Sequence, residues 1–137
     1  QPTGARQHVH DPPAPPMTTP LPDDSPDIAA LWDLRETALG IIRLTRDSSP
    51  DAFAADAELI VSVARGVHII GRATHGLTAE LRAARPDVPW RQFIGAARIV
   101  ADEDDALDTD ELWRLVELLP ALVRAVTPLI PEDDDPF

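Results

Sequence analysis

The chain has 137 residues and no cysteine, and it sets twelve arginines and no lysine against 24 acids, for a formal net charge of −12. Its length predicts one domain plus tails, and without cysteine neither a disulfide framework nor a thiolate metal site is available. No apolar run reaches the roughly 18 residues that span a bilayer, and the start lacks a basic-then-apolar leader, so the chain reads as a soluble cytoplasmic protein with no membrane contact.

Residues 1–26 hold eight of the fifteen prolines and almost no large apolar side chains. Such a segment buries too little surface to offset the entropy of ordering, and it is expected to be a disordered arm. A helical domain follows over 27–130, and 131–137 form an acidic tail. The first helix opens at Asp27, with Ser25 or Asp27 as its cap, and carries Leu31, Leu34, Ala38, Ile41, Ile42 and Thr45 at helical spacing. The polar run Asp47, Ser48, Ser49 stops it before Pro50, since proline disfavours helix in the residue before it. Ser49 then caps a short second helix with Pro50 at its first position.

In the third helix Ile60, Val63, Val67, Ile70, Thr74, Leu77 and Leu81 alternate steps of three and four, which predicts one continuous element ending before Pro86. Gly66, Gly71 and Gly76 punctuate it and imply close helix approach. A fourth helix is expected from about Pro89 and Trp90 to Ala101. The fifth begins at "LDTDE", where Asp108 or Thr109 caps it and Asp110 and Glu111 suit the positive end of the dipole. Leu112, Leu115, Val116, Leu119, Leu122, Val123 and Val126 line its inner face, and Pro120 is expected to kink it. No alternating strand pattern appears. The fold class is all-α, an antiparallel bundle of four to five helices.

Charge is uneven along the chain. Nine acids balance nine arginines from Asp27 to Ala101, but from Asp102 onward twelve acids face only Arg114 and Arg124. Asp102, Glu103, Asp104, Asp105, Asp108, Asp110 and Glu111 place seven acids in ten positions. Asp108, Asp110 and Glu111 fit a solvated helix start. Asp102 to Asp105 follow the end of the fourth helix, where the dipole disfavours anions, so they point instead to a basic protein partner. The run lacks the glycine turn of an EF-hand, and no metal ligand or cofactor is assigned. An acidic end of this kind repels a phosphate backbone, so no direct nucleic-acid binding is expected. Arg65, His68, Arg72 and His75 recur along one side of the third helix, either as a basic stripe for RNA or a partner, or as a solvated face. Trp32, Trp90 and Trp113 are expected in the core or at a dimer contact.

Three blocks, "RGVHIIGRATHGLTAEL", "RPDVPWRQFIGAARIV" and "LDTDELWRLVELLPAL", resemble the HepT-like branch of the HEPN domain family. Ile69, Ile70 and Gly71 match its first block, Pro89, Trp90, Ile94 and Gly95 its second, and Trp113, Val116 and Pro120 its third. The resemblance implies a helical bundle that dimerises. In its active members it implies a metal-independent ribonuclease, commonly a toxin, encoded beside a small nucleotidyltransferase. Their chemistry rests on an Arg and a His a few residues apart, often with a Tyr two positions on. Carried over on Ile94 and Gly95, the Arg falls on Ala97, the His on Asp102 and the Tyr on Asp104, and no histidine follows His75. The departure predicts that no catalytic residue survives and that the chain is not an enzyme. It is expected to be an antitoxin that binds a nucleotidyltransferase toxin as a homodimer or part of a hetero-oligomer. Asp102, Glu103, Asp104, Asp105, Asp108 and Arg98 are the expected docking residues. The alternative is a divergent ribonuclease toxin using Arg98 with His68 or His75.

Overall fold

The computed structural model describes residues 19–101 and 108–131, with the backbone alone over 96–101. Among the described residues all the regular secondary structure is helical. It comprises α1 (Ile28–Thr45), α2 (Pro50–Ala54), α3 (Ala57–Gly76), α4 (Ala79–Ala84), α5 (Trp90–Ala101), α6 (Thr109–Val126) and a closing 3₁₀ turn at Thr127–Leu129. The all-α bundle stands as expected. Its central element is α3, which packs on α1 and α5; α1 also packs on α6, while α2 bridges α3 and α6. Phe53, Phe93, Leu31, Leu34, Ile70 and Leu119 are fully buried at the junctions of these helices. Each such side chain contributes roughly 1.5–3 kcal/mol of apolar burial.

Local signals place the helix starts. Ser49 accepts a hydrogen bond from the Ala52 N–H at 3.1 Å with Pro50 in the first turn, as the sequence predicts. Asp56 does the same for α3 through the Leu59 N–H at 3.1 Å. Short as it is, α2 is held by Phe53, whose ring lies 5.4 Å from that of Trp113 on α6.

The structure departs from the sequence reading at several points. The heptad pattern does not run through one helix to Leu81: α3 stops at Gly76, and Leu77 and Thr78 are extended. Two groups restart the helix. The Thr78 hydroxyl accepts from the Leu81 N–H at 3.2 Å, capping α4. The buried Asp27 carboxyl accepts from the Thr78 N–H at 2.8 Å and from its hydroxyl at 2.7 Å. Leu77 and Leu81 still reach the core, so the apolar spacing survives the break. Asp27 is thereby diverted from capping α1, where its side chain makes no cap bond. Gly66 does mark a close approach, because a Cβ there would lie 2.6 Å from Ile41 Cδ1 on α1. Gly76 marks a helix end instead, with open space where its Cβ would be. Trp32 is 39% exposed rather than core, with the Arg35 guanidinium 4.5 Å from its ring centroid. Pro120, expected at a kink, is exposed and lies inside the continuous α6.

Residues 1–18 of the expected arm and 132–137 of the acidic tail lie outside the described residues. The rest of the arm makes contact with the bundle: the Leu21 N–H donates to the Leu129 carbonyl at 2.9 Å, and Leu21 packs against the core. No helix among the described residues is long and apolar enough to cross a membrane.

Candidate functional site

The groove between α5 and α6 is built by two Trp-Arg pairs. On α5, Trp90 is buried and its indole N–H donates to the carbonyls of Arg82 and Arg85 at 3.1 and 3.0 Å. Those carbonyls also accept from the backbone N–H groups of Arg85 and Val88, at 3.3 and 3.2 Å, so the indole adds a further tie to the turn that ends α4. Phe93 is buried one turn further on. With that face fixed, Arg91 and Gln92 must point outward, and both are exposed. On α6, Asp108 accepts from the N–H groups of Asp110 and Glu111 at 3.0 and 3.2 Å. Leu112 and Leu115 face the core and Trp113 packs at a tilt against Phe53, which turns Arg114 outward and leaves Glu111 half-buried.

The two helices make few contacts with each other. Between them is a groove of about 210 Å³, lined by Arg91, Gln92 and Gly95 from α5 and by Glu111, Arg114, Leu115 and Leu118 from α6. Among the described residues neither Arg91 nor Arg114 is paired with a carboxylate. The groove therefore offers two guanidinium groups, one carboxylate and an apolar wall, a local excess of positive charge in an acidic chain. Such a set can hold a phosphodiester by charge-assisted hydrogen bonds and place a proton acceptor beside it.

Of the residues expected to dock a partner, Asp108 is the cap of α6 and so has a structural task. Asp102, Glu103, Asp104 and Asp105 lie outside the described residues, as does the side chain of Arg98, whose backbone belongs to α5. Ala97 lies on α5, two positions beyond Gly95 in sequence. On α3, Arg65, Arg72 and His75 are exposed while His68 is half-buried, so the four do not share one fully solvated stripe. Among the described residues no three histidines or acids converge as a metal site would require. A further arginine, Arg85, is nine-tenths buried beside α6. It donates to the Ala125 carbonyl at 2.9 Å and to both Asp87 carboxylate oxygens at 2.9 and 2.7 Å. The Arg85 hydrogen bonds hold the Asp87 carboxyl below its ordinary value, and Asp87 in turn raises Arg85. This pair fastens the α4–α5 connection on which Trp90 rests.

The sequence reading missed the groove residues Arg91, Gln92, Gly95, Glu111 and Arg114 as a group. The available signal was the repeated Trp-Arg dipeptide at 90–91 and 113–114.

A family described as "Ribonuclease HepT-like" matches residues 34–129. The chain belongs to the HepT-like ribonuclease family. Two curated relatives agree. One, from Methanocaldococcus jannaschii and named "Putative RNase MJ1380", is 29% identical over 89 residues, which cover 65% of this chain and 82% of that protein. The other, from Thermococcus cleftensis and named "Probable ribonuclease HepT", is 27% identical over 93 residues, 67% of this chain and 84% of that protein. No solved structure matches. The resemblance read from the three sequence blocks is thus shown. The expectation that this HepT-like chain is not an enzyme is overturned, because the family and both relatives carry the name of a ribonuclease. Loss of one Arg and one His from their usual places does not remove other side chains able to grip phosphate.

Proposed function

We propose that the chain is a divergent HepT-like ribonuclease of a toxin–antitoxin module and that its RNA phosphate sits in the α5–α6 groove. The observation that carries this is the meeting of Arg91, Arg114 and Glu111 around one groove. Arg91 and Arg114 bind the two non-bridging phosphate oxygens. Glu111 accepts the proton of the adjacent ribose 2′-hydroxyl. The 2′-oxygen then bonds to phosphorus as the bond to the 5′-oxygen breaks. A 2′,3′-cyclic phosphate and a 5′-hydroxyl form, the leaving oxygen taking its proton from water. The guanidinium pair also offsets the charge that builds on phosphorus in the transition state.

This reading replaces the expectation of no nucleic-acid contact, which rested on net charge, with one based on local charge. It also replaces the pairing of Arg98 with His68, which is half-buried and already engaged. A nucleotidyltransferase remains the proposed partner of the module, with the acids beyond Ala101 suited to a basic surface on it.

The test is incubation of purified chain with single-stranded oligoribonucleotides and with matched 2′-O-methyl strands. Cleavage of the first set alone is expected. Glu111→Gln and the Arg91→Ala, Arg114→Ala double substitution are expected to reduce the rate by at least about 100-fold. Full activity in the double arginine variant, or an inert wild-type chain, refutes the assignment. Loss on Arg98→Ala alone moves the site to α5's last turn.

A further inference from the structure

Gly66 and Gly95 both lie inside continuous helices, and glycine is the poorest helix former after proline. Gly66 has a packing reason, since Ile41 occupies the space a side chain would need. Gly95 has none: a Cβ there would meet nothing within 4 Å. The space above it is the groove itself, which Gly95 helps to line. A missing side chain there leaves more room in the groove that Gly95 shares with Arg91, Arg114 and the apolar Leu115 and Leu118. Beside Arg91, and exposed, stands Gln92, whose amide presents a donor and an acceptor together.

We propose that Gly95 and Gln92 select the nucleotide bound in this groove: Gly95 leaves the slot in which one unpaired ribose and base rest against Leu115 and Leu118, and Gln92 reads the edge of that base, preferring adenine. The proposal rests on the phosphate placement described above. The groove, about 210 Å³, is on the scale of a single base with its ribose, and unpaired bases are the ones whose edges side chains can reach in RNA. An amide pairs in bidentate fashion with the adenine N6 donor and N7 acceptor, whereas a carboxylate accepts from the cytosine amino group. Arg91 and Arg114 hold the backbone and carry no base preference.

The test measures binding and cleavage separately, using the full chain and short homopolymers of each base made with 2′-fluoro riboses, which cannot be cut through a 2′-hydroxyl. Fluorescence anisotropy is expected to rank the adenine strand first by about ten-fold. Gln92→Ala flattens the ranking, and Gln92→Glu moves the preference to cytosine. Gly95→Leu weakens every strand by at least about ten-fold while the melting temperature stays level or rises, so that misfolding cannot account for the loss. Unchanged binding in Gly95→Leu overturns the slot, as does a base ranking that Gln92→Ala leaves intact. So does a Gly95→Leu chain that keeps RNA and loses only a protein partner. A wild-type chain that binds with this ranking yet never cuts natural RNA supports the slot and sinks the ribonuclease reading alone.

Discussion

Substituting alanine for Gly66 and for Gly95 is expected to move stability in opposite directions. At Gly66 the new Cβ would stand 2.6 Å from Ile41 Cδ1 and 2.9 Å from Cγ1, against the 3.5–4.0 Å of an ordinary carbon contact. About 1 Å must be found, and Ile41 is only 3% exposed, so there is little free space to move into. Overpacking of this kind costs about 1–3 kcal/mol. Replacing a helical glycine by alanine returns about 1 kcal/mol, leaving a net loss of roughly 1 kcal/mol at Gly66. At Gly95 only the gain applies, so about 1 kcal/mol of added stability is expected. Urea denaturation followed by circular dichroism measures both. A third variant isolates the cause. Ile41→Val removes Cδ1 and by itself costs about 0.5–1.5 kcal/mol. Combined with Gly66→Ala its cost is expected to shrink by about 1 kcal/mol, because each change relieves the other. Gly66→Ala that stabilises the bundle, or a double variant whose loss is the plain sum of the singles, refutes the reasoning.

Asp27→Ala removes both hydrogen bonds to Thr78 and leaves that N–H and hydroxyl short of a partner; a loss of about 2–3 kcal/mol is expected. Asp27→Asn keeps an acceptor for the N–H and is expected to lose about 1 kcal/mol, so equal losses in the two variants would count against the link. For Asp87 the direction of pH dependence follows from its lowered pKa. Its ion pair with Arg85 contributes stability that is complete above the usual carboxylate range and disappears as pH falls through the lower folded value. Asp87 is 47% exposed, so solvent screening limits the effect to about 1 kcal/mol. Thermal melts of wild type and Asp87→Asn should differ at pH 7 and converge near pH 2; a gap that widens in acid contradicts the assignment. If two arginines hold the RNA phosphates, the logarithm of affinity for a single strand should fall with the logarithm of salt at a slope of about −1.4. A slope near zero would show that they do not.

The helices were legible because their signals are local. Ser49–Pro50, Asp108 and the Leu and Val spacing of α6 lie within a few residues of what they determine. The break after Gly76 was hidden because Leu77 and Leu81 are buried in either arrangement, and the group that stabilises it, Asp27, is 51 positions away. The blanks at Ala97 and Asp102 could be read directly. What could not be read was that α5 and α6 diverge enough to bring Arg91 within the same groove as Glu111 and Arg114, since that depends on how Trp90 and Trp113 seat in the core. Reasoning from the missing pair to a missing activity failed for the same reason: a motif is a sequence pattern, while a groove is made by packing.

The hydrogen bond from Leu21 to Leu129 nearly closes the described chain into a ring. A short linker joining these two points, with new ends opened between α4 and α5, should yield the same bundle with its helices in rotated order. Opening the chain there would also free α5 from the turn that carries Arg85 and Asp87, which makes the permuted protein a direct measure of how far the groove depends on that attachment.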